Sequence, residues 1–168
     1  MNGDDFSFIT PKTLQVSIIE SVEFATFLWI LAQKIDSKYQ DEMVRTIILY
    51  NIAITEALLL FRVKRENISF FDYEFKNICA LPKAYQIDET EVVVAKRMLK
   101  KKNDKLIWLH ELIKEQEVFL GKRLSKEIKE LQDIRNTFHL SKERSELSLK
   151  KAENSFGTVL KLVKKLQK

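Results

Sequence analysis

The feature that most constrains this chain is a long apolar segment, Ile47–Phe61, which polar side chains interrupt at Asn51, Thr55 and Glu56. A helix at a protein surface carries one apolar stripe, whereas a helix that is apolar on nearly every side is buried. The segment therefore predicts a central helix that other helices must surround.

The rest of the chain is also rich in helix-forming residues, with three glycines and two prolines among 168 residues. Apolar residues recur every three or four positions, which is the spacing of an amphipathic helix. With 45% hydrophobic residues, a chain of this length can bury the core of one domain. These observations predict an all-α protein, a single domain over residues 1–168, folded as a bundle of four to five main helices.

One stretch interrupts the helical spacing. Residues 66–88 contain asparagines, a proline and three phenylalanines, and they predict a short irregular insert with at most one helical turn. A helix is predicted to follow over residues 89–99. Beyond it, the spacing predicts one long or gently broken helix that reaches Arg135, and then a terminal amphipathic helix capped by Ser141.

The cysteine and histidine counts exclude two classes of structure. Cys79 is the single cysteine, so an internal disulfide is excluded, and two histidines do not supply the usual ligands of a zinc site. The N-terminus carries Asp4 and Asp5 where a signal peptide carries lysines, and we find no apolar run suited to spanning a bilayer. We therefore expect a reduced cytoplasmic protein without metal, other cofactor or membrane.

Positive charge is concentrated in the last segment of the chain. Residues 142–168 contain eight Lys or Arg and three Glu, so their excess equals the formal net charge of the whole chain, +5. A basic surface attracts the phosphates of nucleic acid. The candidate nucleic-acid contacts are Lys142, Arg144, Lys150 and Lys151, and the alternative is a solvated helix face rich in lysine.

A short motif before the last predicted helix contains Arg135, Asn136 and His139. Arginine binds phosphate through parallel hydrogen bonds, and histidine exchanges protons near neutral pH. On a continuous helix, positions 135 and 139 share one face; if the helix ends near Asn136, His139 lies beside the free N–H groups of the next helix. Both arrangements predict an anion site. The alternative is that Arg135 forms surface ion pairs and that His139 caps a helix.

These side-chain types fit cleavage of RNA. The ribose 2′-hydroxyl attacks its own phosphorus, which requires proton transfer and positive charge beside the non-bridging oxygens. His139 is the candidate for proton transfer, Arg135 for the charge, and Asn136 for a further hydrogen bond or for fixing the imidazole. This reaction requires no metal.

Glu56 is a candidate for orienting the arginine. Its neighbours three and four positions away are apolar, and a lone carboxylate on such a surface is costly. We expect Arg135 to be its first candidate partner, because an adjacent guanidinium stabilises the carboxylate anion. The alternative is that Glu56 lies at the rim of the bundle with its carboxylate in water.

The order of these segments resembles the HEPN superfamily of small helical bundles. An apolar helix contains ILYNIAITEALLLFRV, a later helix ends in LQDIRNTFHLSK, and an amphipathic helix follows. The family signature is an Arg, usually followed by a polar residue such as Asn, and then a His a few positions on, just before the last helix. Arg135, Asn136 and His139 match it, and Glu56 matches an acidic or polar residue often seen in the central helix. The resemblance covers about residues 41–167. Three residues separate Arg135 from His139, which is shorter than is usual in the family.

The resemblance implies a metal-independent endoribonuclease acting in a toxin–antitoxin or phage-defence setting. It also implies a homodimer whose cleft brings two motifs together on RNA, with a protein antitoxin or a nucleotidyltransferase as a further candidate partner. The alternative, which the short spacing favours, is a non-catalytic HEPN-like bundle that binds nucleic acid, a nucleotide or a protein partner. The sequence thus leaves open whether the protein is an enzyme.

Overall fold

The computed structural model describes residues 3–80, 93–137 and 147–168, and these residues are mostly helical. Within them, five α-helices and two β-strands follow one another in this order: α1 (Lys12–Ala32), α2 (Ser37–Arg65), β1 (Phe71–Ala80), β2 (Val93–Lys101), α3 (Leu109–Glu115), α4 (Glu117–Asn136) and α5 (Leu149–Leu166). The coarse prediction of a helical protein is confirmed, the two strands depart from the predicted all-α class, and the HEPN-like bundle stays a prediction.

The chain divides into two compact units. One unit comprises Met1–Glu66 together with Trp108–Lys168 and contains the five helices of the described residues. The other unit, Asn67–Ile107, contains the two strands. The prediction of one domain over residues 1–168 concerns independent folding, which this division does not test, so it stays a prediction.

Helix α2 is the centre of the helical unit and packs against α1, α3, α4 and α5. Its apolar residues line several sides of the helix, and those with at most 2% of their surface exposed are Val44, Ile47, Ile48, Ile52, Ile54, Leu58 and Leu59. Burial of each such side chain contributes about 1.5–3 kcal/mol relative to exposure. The central position predicted for the segment Ile47–Phe61 is therefore confirmed.

Two polar residues of α2 are also fully buried, and both have hydrogen-bond partners. The amide nitrogen of Asn51 donates to the Ser155 hydroxyl of α5 at 2.7 Å, and this hydroxyl donates to the Ala152 carbonyl. The Thr55 hydroxyl donates to the Asn51 carbonyl one turn earlier. Because a buried polar group without a partner is costly, the Asn51–Ser155 contact favours this packing of α2 on α5, although Oδ1 of Asn51 has no partner among the described residues.

Helices α4 and α5 complete this unit beside α2. Helix α4 contains a break at Gly121, whose φ of 75° lies in the left-handed region that glycine adopts without a Cβ clash. Helix α5 begins after Ser148, whose side chain accepts a hydrogen bond from the Lys151 backbone N–H. The predicted terminal amphipathic helix is thus present, and the predicted cap Ser141 lies outside the described residues.

The prediction for residues 66–99 is wrong over residues 71–80 and 93–99, whereas residues 66–70 are irregular, as predicted. Residues 71–80 form a strand instead of an irregular insert, and residues 93–99 belong to a strand instead of a helix. The two strands are antiparallel, with one irregularity in register between Lys76 and Cys79. Aromatic and polar residues alternate along Phe71–Phe75, and β-branched Val93 and Val94 begin β2, so both segments favour strands. Residues 81–92, the remainder of these predictions, lie outside the described residues.

Two helices in the described part of the chain are long and apolar enough to cross a membrane by length and composition alone. They are Lys12–Ala32 and Tyr39–Arg65, in which 17% and 61% of the most apolar window is buried. The expectation that no run was suited to spanning a bilayer is therefore wrong on these two criteria. The burial of α2 gives its apolar character a second explanation, because a core helix passes the same test. The cytoplasmic location stays a prediction.

The Asn51–Ser155 contact gives a test of the helical core. Ser155→Ala leaves the buried Asn51 amide without its acceptor, so we expect the free energy of unfolding to fall by about 1–3 kcal/mol. The matched control is Ser17→Ala at an exposed position of α1, which should change it by less than about 0.5 kcal/mol. Urea denaturation followed by circular dichroism measures both variants, and equal effects would contradict this role of the contact.

Candidate functional site

The predicted motif lies at the C-terminal end of α4. Arg135 is the penultimate residue of the helix, Asn136 is the last, and both are exposed. Thr137 follows as the C-cap, and its backbone N–H and its hydroxyl both donate to the Ile134 carbonyl, at 3.1 and 2.7 Å. Of the two arrangements left open by the sequence, the structure therefore has the one in which the helix ends near Asn136.

Arg135 pairs with Glu56 of α2, as expected from the sequence. The Nη1 atom of Arg135 donates to Oε2 of Glu56 at 3.2 Å, which joins α4 to α2 across 79 positions of the chain. Side-chain exposure is 48% for Arg135 and 27% for Glu56. Glu56 thus lies at the rim of the core, as the alternative proposed, and it has the expected partner as well.

This exposure limits what the ion pair contributes to stability. Exposed pairs contribute about 0–1 kcal/mol, because water and salt screen the charges. Its main consequence is geometric: one donor of the guanidinium is used by Glu56, and among the described residues no other side chain pairs with the remaining N–H groups, which suit an anion. Glu56 is therefore placed to orient Arg135, and its role in any reaction stays a prediction.

Several predicted site residues lie outside the described residues. They are His139, Lys142 and Arg144. The structure therefore brings together Arg135, Asn136 and Glu56, and the place of the imidazole beside them stays a prediction.

Lys150 and Lys151 lie in the first turn of α5 and are exposed. The Nζ atom of Lys150 is 2.8 Å from Oε2 of Glu153, so its charge is partly neutralised within its own helix. Lys151 lines a groove of about 820 Å³ between α4 and α5. Their predicted role as nucleic-acid contacts stays a prediction.

This groove between α4 and α5 carries both signs of charge. Its described lining contains three basic and four acidic residues: Arg123, Lys151, Lys161, Glu127, Glu130, Asp133 and Glu153. Lys161 contacts both carboxylate oxygens of Glu127 at 2.7 Å, and Arg123 contacts the same carboxylate at 3.3 Å. Because its cations are matched by acids, the groove of a single chain is a poor site for a phosphate backbone.

A more basic depression lies near the Gly121 break of α4 and was missed by the sequence analysis. It has a volume of about 520 Å³, and its described lining is Leu120, Gly121, Lys122, Arg123, Leu124, Lys161, Lys164 and Lys165. Lys122, Lys164 and Lys165 are all exposed, and Lys165 also donates to the Phe119 carbonyl at 2.8 Å. A signal was present in the sequence, because positions 161, 164 and 165 share one helix face. These lysines of α5 line the same depression as Lys122 only because α4 packs on α5, which the sequence does not specify.

Within the ranges 3–80, 93–137 and 147–168, no group of three His, Cys, Asp or Glu side chains could hold a metal ion. The expected absence of a metal or cofactor stays a prediction for the whole chain.

No protein-family model, no curated protein and no solved structure matches this chain. The interpretation of the site therefore depends on its own geometry, and membership of the HEPN superfamily stays a hypothesis.

The Arg135–Glu56 pair can be tested by a double-mutant cycle. Arg135→Ala, Glu56→Gln and the double variant should give a coupling energy of about 0.2–1 kcal/mol, because the pair is partly exposed. This coupling energy should decrease in concentrated salt, because salt screens partly exposed ion pairs. Urea denaturation of the four proteins provides the measurement.

The matched control cycle uses Lys126 and Glu130 on α4, which are 3.9 Å apart and more exposed. We expect a smaller coupling energy there. Coupling between Arg135 and Glu56 no larger than in this control pair would show that Glu56 does not hold the guanidinium in solution.

Proposed function

We propose that this protein is a metal-independent endoribonuclease of HEPN type, which acts as a homodimer in a toxin–antitoxin or phage-defence setting. The observation that supports this proposal is the half-exposed guanidinium of Arg135, held by Glu56 where α4 ends. A cation whose orientation is fixed while several donors face solvent is suited to binding a phosphate. Asn136 adds an exposed amide at the next position.

In the proposed reaction, the ribose 2′-hydroxyl oxygen attacks the adjacent phosphorus. The bond from phosphorus to the 5′-oxygen breaks, which yields a 2′,3′-cyclic phosphate and a 5′-hydroxyl. His139 accepts the proton of the attacking hydroxyl or returns one to the leaving oxygen. Arg135 stabilises the charge that develops on the non-bridging oxygens, and Asn136 donates a further hydrogen bond.

The proposed homodimer follows from the resemblance and agrees with the charges of a single chain. The described groove between α4 and α5 has mixed charge, so one copy offers no continuous basic channel there. Two copies would place two arginines in one cleft and enlarge the basic surface available to RNA. An antitoxin or nucleotidyltransferase partner would bind the same assembly.

A specific observation favours the second candidate, a non-catalytic bundle that binds nucleic acid, nucleotide or a protein partner. The charge of Arg135 is already partly neutralised by Glu56, which weakens its attraction for a phosphate. The two candidates predict different effects of removing the His139 imidazole. An endoribonuclease would lose cleavage, whereas a non-catalytic bundle would show only a small change in binding.

The nuclease proposal is tested by incubating the purified protein with mixed RNA in the presence of a chelator. We expect His139→Ala to lower the cleavage rate about 100-fold or more, because it removes the group that transfers protons. Arg135→Ala should cause a comparable loss, and Arg135→Lys a smaller one, since lysine retains the charge without the paired donors. Gel analysis and detection of 2′,3′-cyclic phosphate ends provide the measurement.

The matched control is Lys126→Ala, which removes an exposed cation from the same helix, in an ion pair with Glu130. Its cleavage rate should equal that of the unmodified protein. Cleavage that persists in His139→Ala would reject the proposed reaction. RNA binding without any cleavage by the unmodified protein would favour the non-catalytic bundle.

A further inference from the structure

The two-stranded unit carries one face that combines aromatic side chains of β1 with basic side chains of β2. Phe71, Tyr73 and Phe75 of β1 lie opposite Lys101, Leu99 and Arg97 of β2, respectively. Residues directly opposite in an antiparallel pair project to the same face, and so do alternate residues along one strand. These six residues therefore form one surface, called the aromatic face below.

The rings of the aromatic face are largely accessible. Phe71, Tyr73 and Phe75 are exposed by 56, 53 and 56%, and Leu99 by 66%. The guanidinium of Arg97 stands over the Tyr73 ring, 4.4 Å from its centroid. Three exposed rings in a row are unusual on a protein surface, where contiguous apolar patches mark sites of interaction.

The opposite face of the ribbon, called the polar face below, has a different chemistry. It carries Asp72, Glu74, Lys76, Lys96, Met98 and Lys100. The carboxylate oxygens of Glu74 lie 3.6 Å from Nζ of Lys100 and 3.8 Å from Nζ of Lys76, so opposite charges on the polar face partly neutralise one another. None of the six residues of the aromatic face is acidic, and two are basic. The aromatic face therefore combines net positive charge with accessible rings.

This combination fits a single nucleic-acid strand. Unpaired bases stack on aromatic side chains, and cations beside the rings bind the phosphates. Alternate residues of a strand are about 7 Å apart, so three rings in a row offer successive places for bases of an extended strand. A duplex fits less well, since its bases are already stacked on one another.

We propose that the aromatic face binds single-stranded RNA, with bases stacked on Phe71, Tyr73 and Phe75 and with phosphates bound by Arg97 and Lys101. The choice of RNA rests on the proposed function, whereas the binding surface is separate from the Arg135 motif in the chain. This assigns to β1 and β2 the capture of an unpaired RNA segment.

The test measures binding to the full-length protein by fluorescence anisotropy. The probe is a short single strand of 2′-O-methyl RNA, which cannot be cleaved by 2′-hydroxyl attack. Phe75→Leu keeps an apolar side chain but removes the ring, and it should raise the dissociation constant at least about fivefold, as expected for losing one stacked base. The matched control, Met98→Leu on the polar face, should leave it unchanged. Tyr73→Phe keeps the ring and should bind like the unmodified protein.

A second pair of variants tests the cations. Arg97→Gln and Lys96→Gln remove the same charge from adjacent positions of β2 that face opposite sides of the ribbon. Arg97→Gln should reduce the slope of log affinity against log salt by about 0.7, the value for one phosphate contact on a single strand. Lys96→Gln should leave the slope unchanged. Far-UV circular dichroism confirms that all variants remain folded.

The outcomes separate this proposal from its competitors and from the nuclease. Equal affinity for a matched RNA duplex, or equal effects of Phe75→Leu and Met98→Leu, would overturn it. Two further results would overturn the proposal by assigning the aromatic face to another occupant. Sedimentation with phosphatidylserine vesicles without RNA binding would assign it to a membrane surface, and self-association that Phe75→Leu abolishes would assign it to a second copy of the chain. Because the probe cannot be cleaved, loss of binding in Phe75→Leu is independent of whether His139→Ala abolishes cleavage.

Discussion

The burial of α2 among the other helices is the constraint on which the rest of the helical unit depends. Phe61 and Val63 are both buried, and two steps along a helix turn by about 200°, so buried side chains lie on nearly opposite sides of α2. One neighbour cannot cover them all, so helices must approach from several directions. A polar side chain on α2 is costly there without a partner, and Ser155 supplies one to the amide nitrogen of Asn51, whereas Oδ1 of Asn51 has none among the described residues.

The same constraint places the candidate site. Glu56 follows the fully buried Thr55, and one step along a helix turns by about 100°, which brings Glu56 to the rim of the core. On α4, Leu131 is buried one turn before Arg135. The half-exposed side chain of Arg135 therefore lies on the same face of α4 as Leu131, just beyond the buried part of that face. The ion pair thus joins the lateral edge of the buried surface of α2 to the end of α4.

These features could be predicted from the sequence because they depend on local periodicity. The central helix, the terminal helix and the pairing of Glu56 with Arg135 all follow from apolar spacing and from the cost of a lone carboxylate. The strands were missed because their pairing is non-local: Phe71 lies opposite Lys101, and no spacing within either segment specifies that register. The two-residue alternation of Phe71, Tyr73 and Phe75 was the available signal, and the helical character of the surrounding sequence outweighed it.

A count of charged residues in the sequence does not show which of them are paired in the folded protein or which face they occupy. The net excess falls in the last segment, yet Lys150 and Lys161 contact carboxylates and Lys165 donates to a backbone carbonyl. A cation that is matched by a neighbour attracts a phosphate less than one that is not. The two strands carry five basic and two acidic residues, and strand alternation places both acids, Asp72 and Glu74, on the polar face, whereas Arg97 and Lys101 lie on the aromatic face without an acid. The electrostatic potential at a surface therefore depends on how the fold distributes the charged side chains. A strand places consecutive residues on opposite faces, so it separates charges that are adjacent in the sequence.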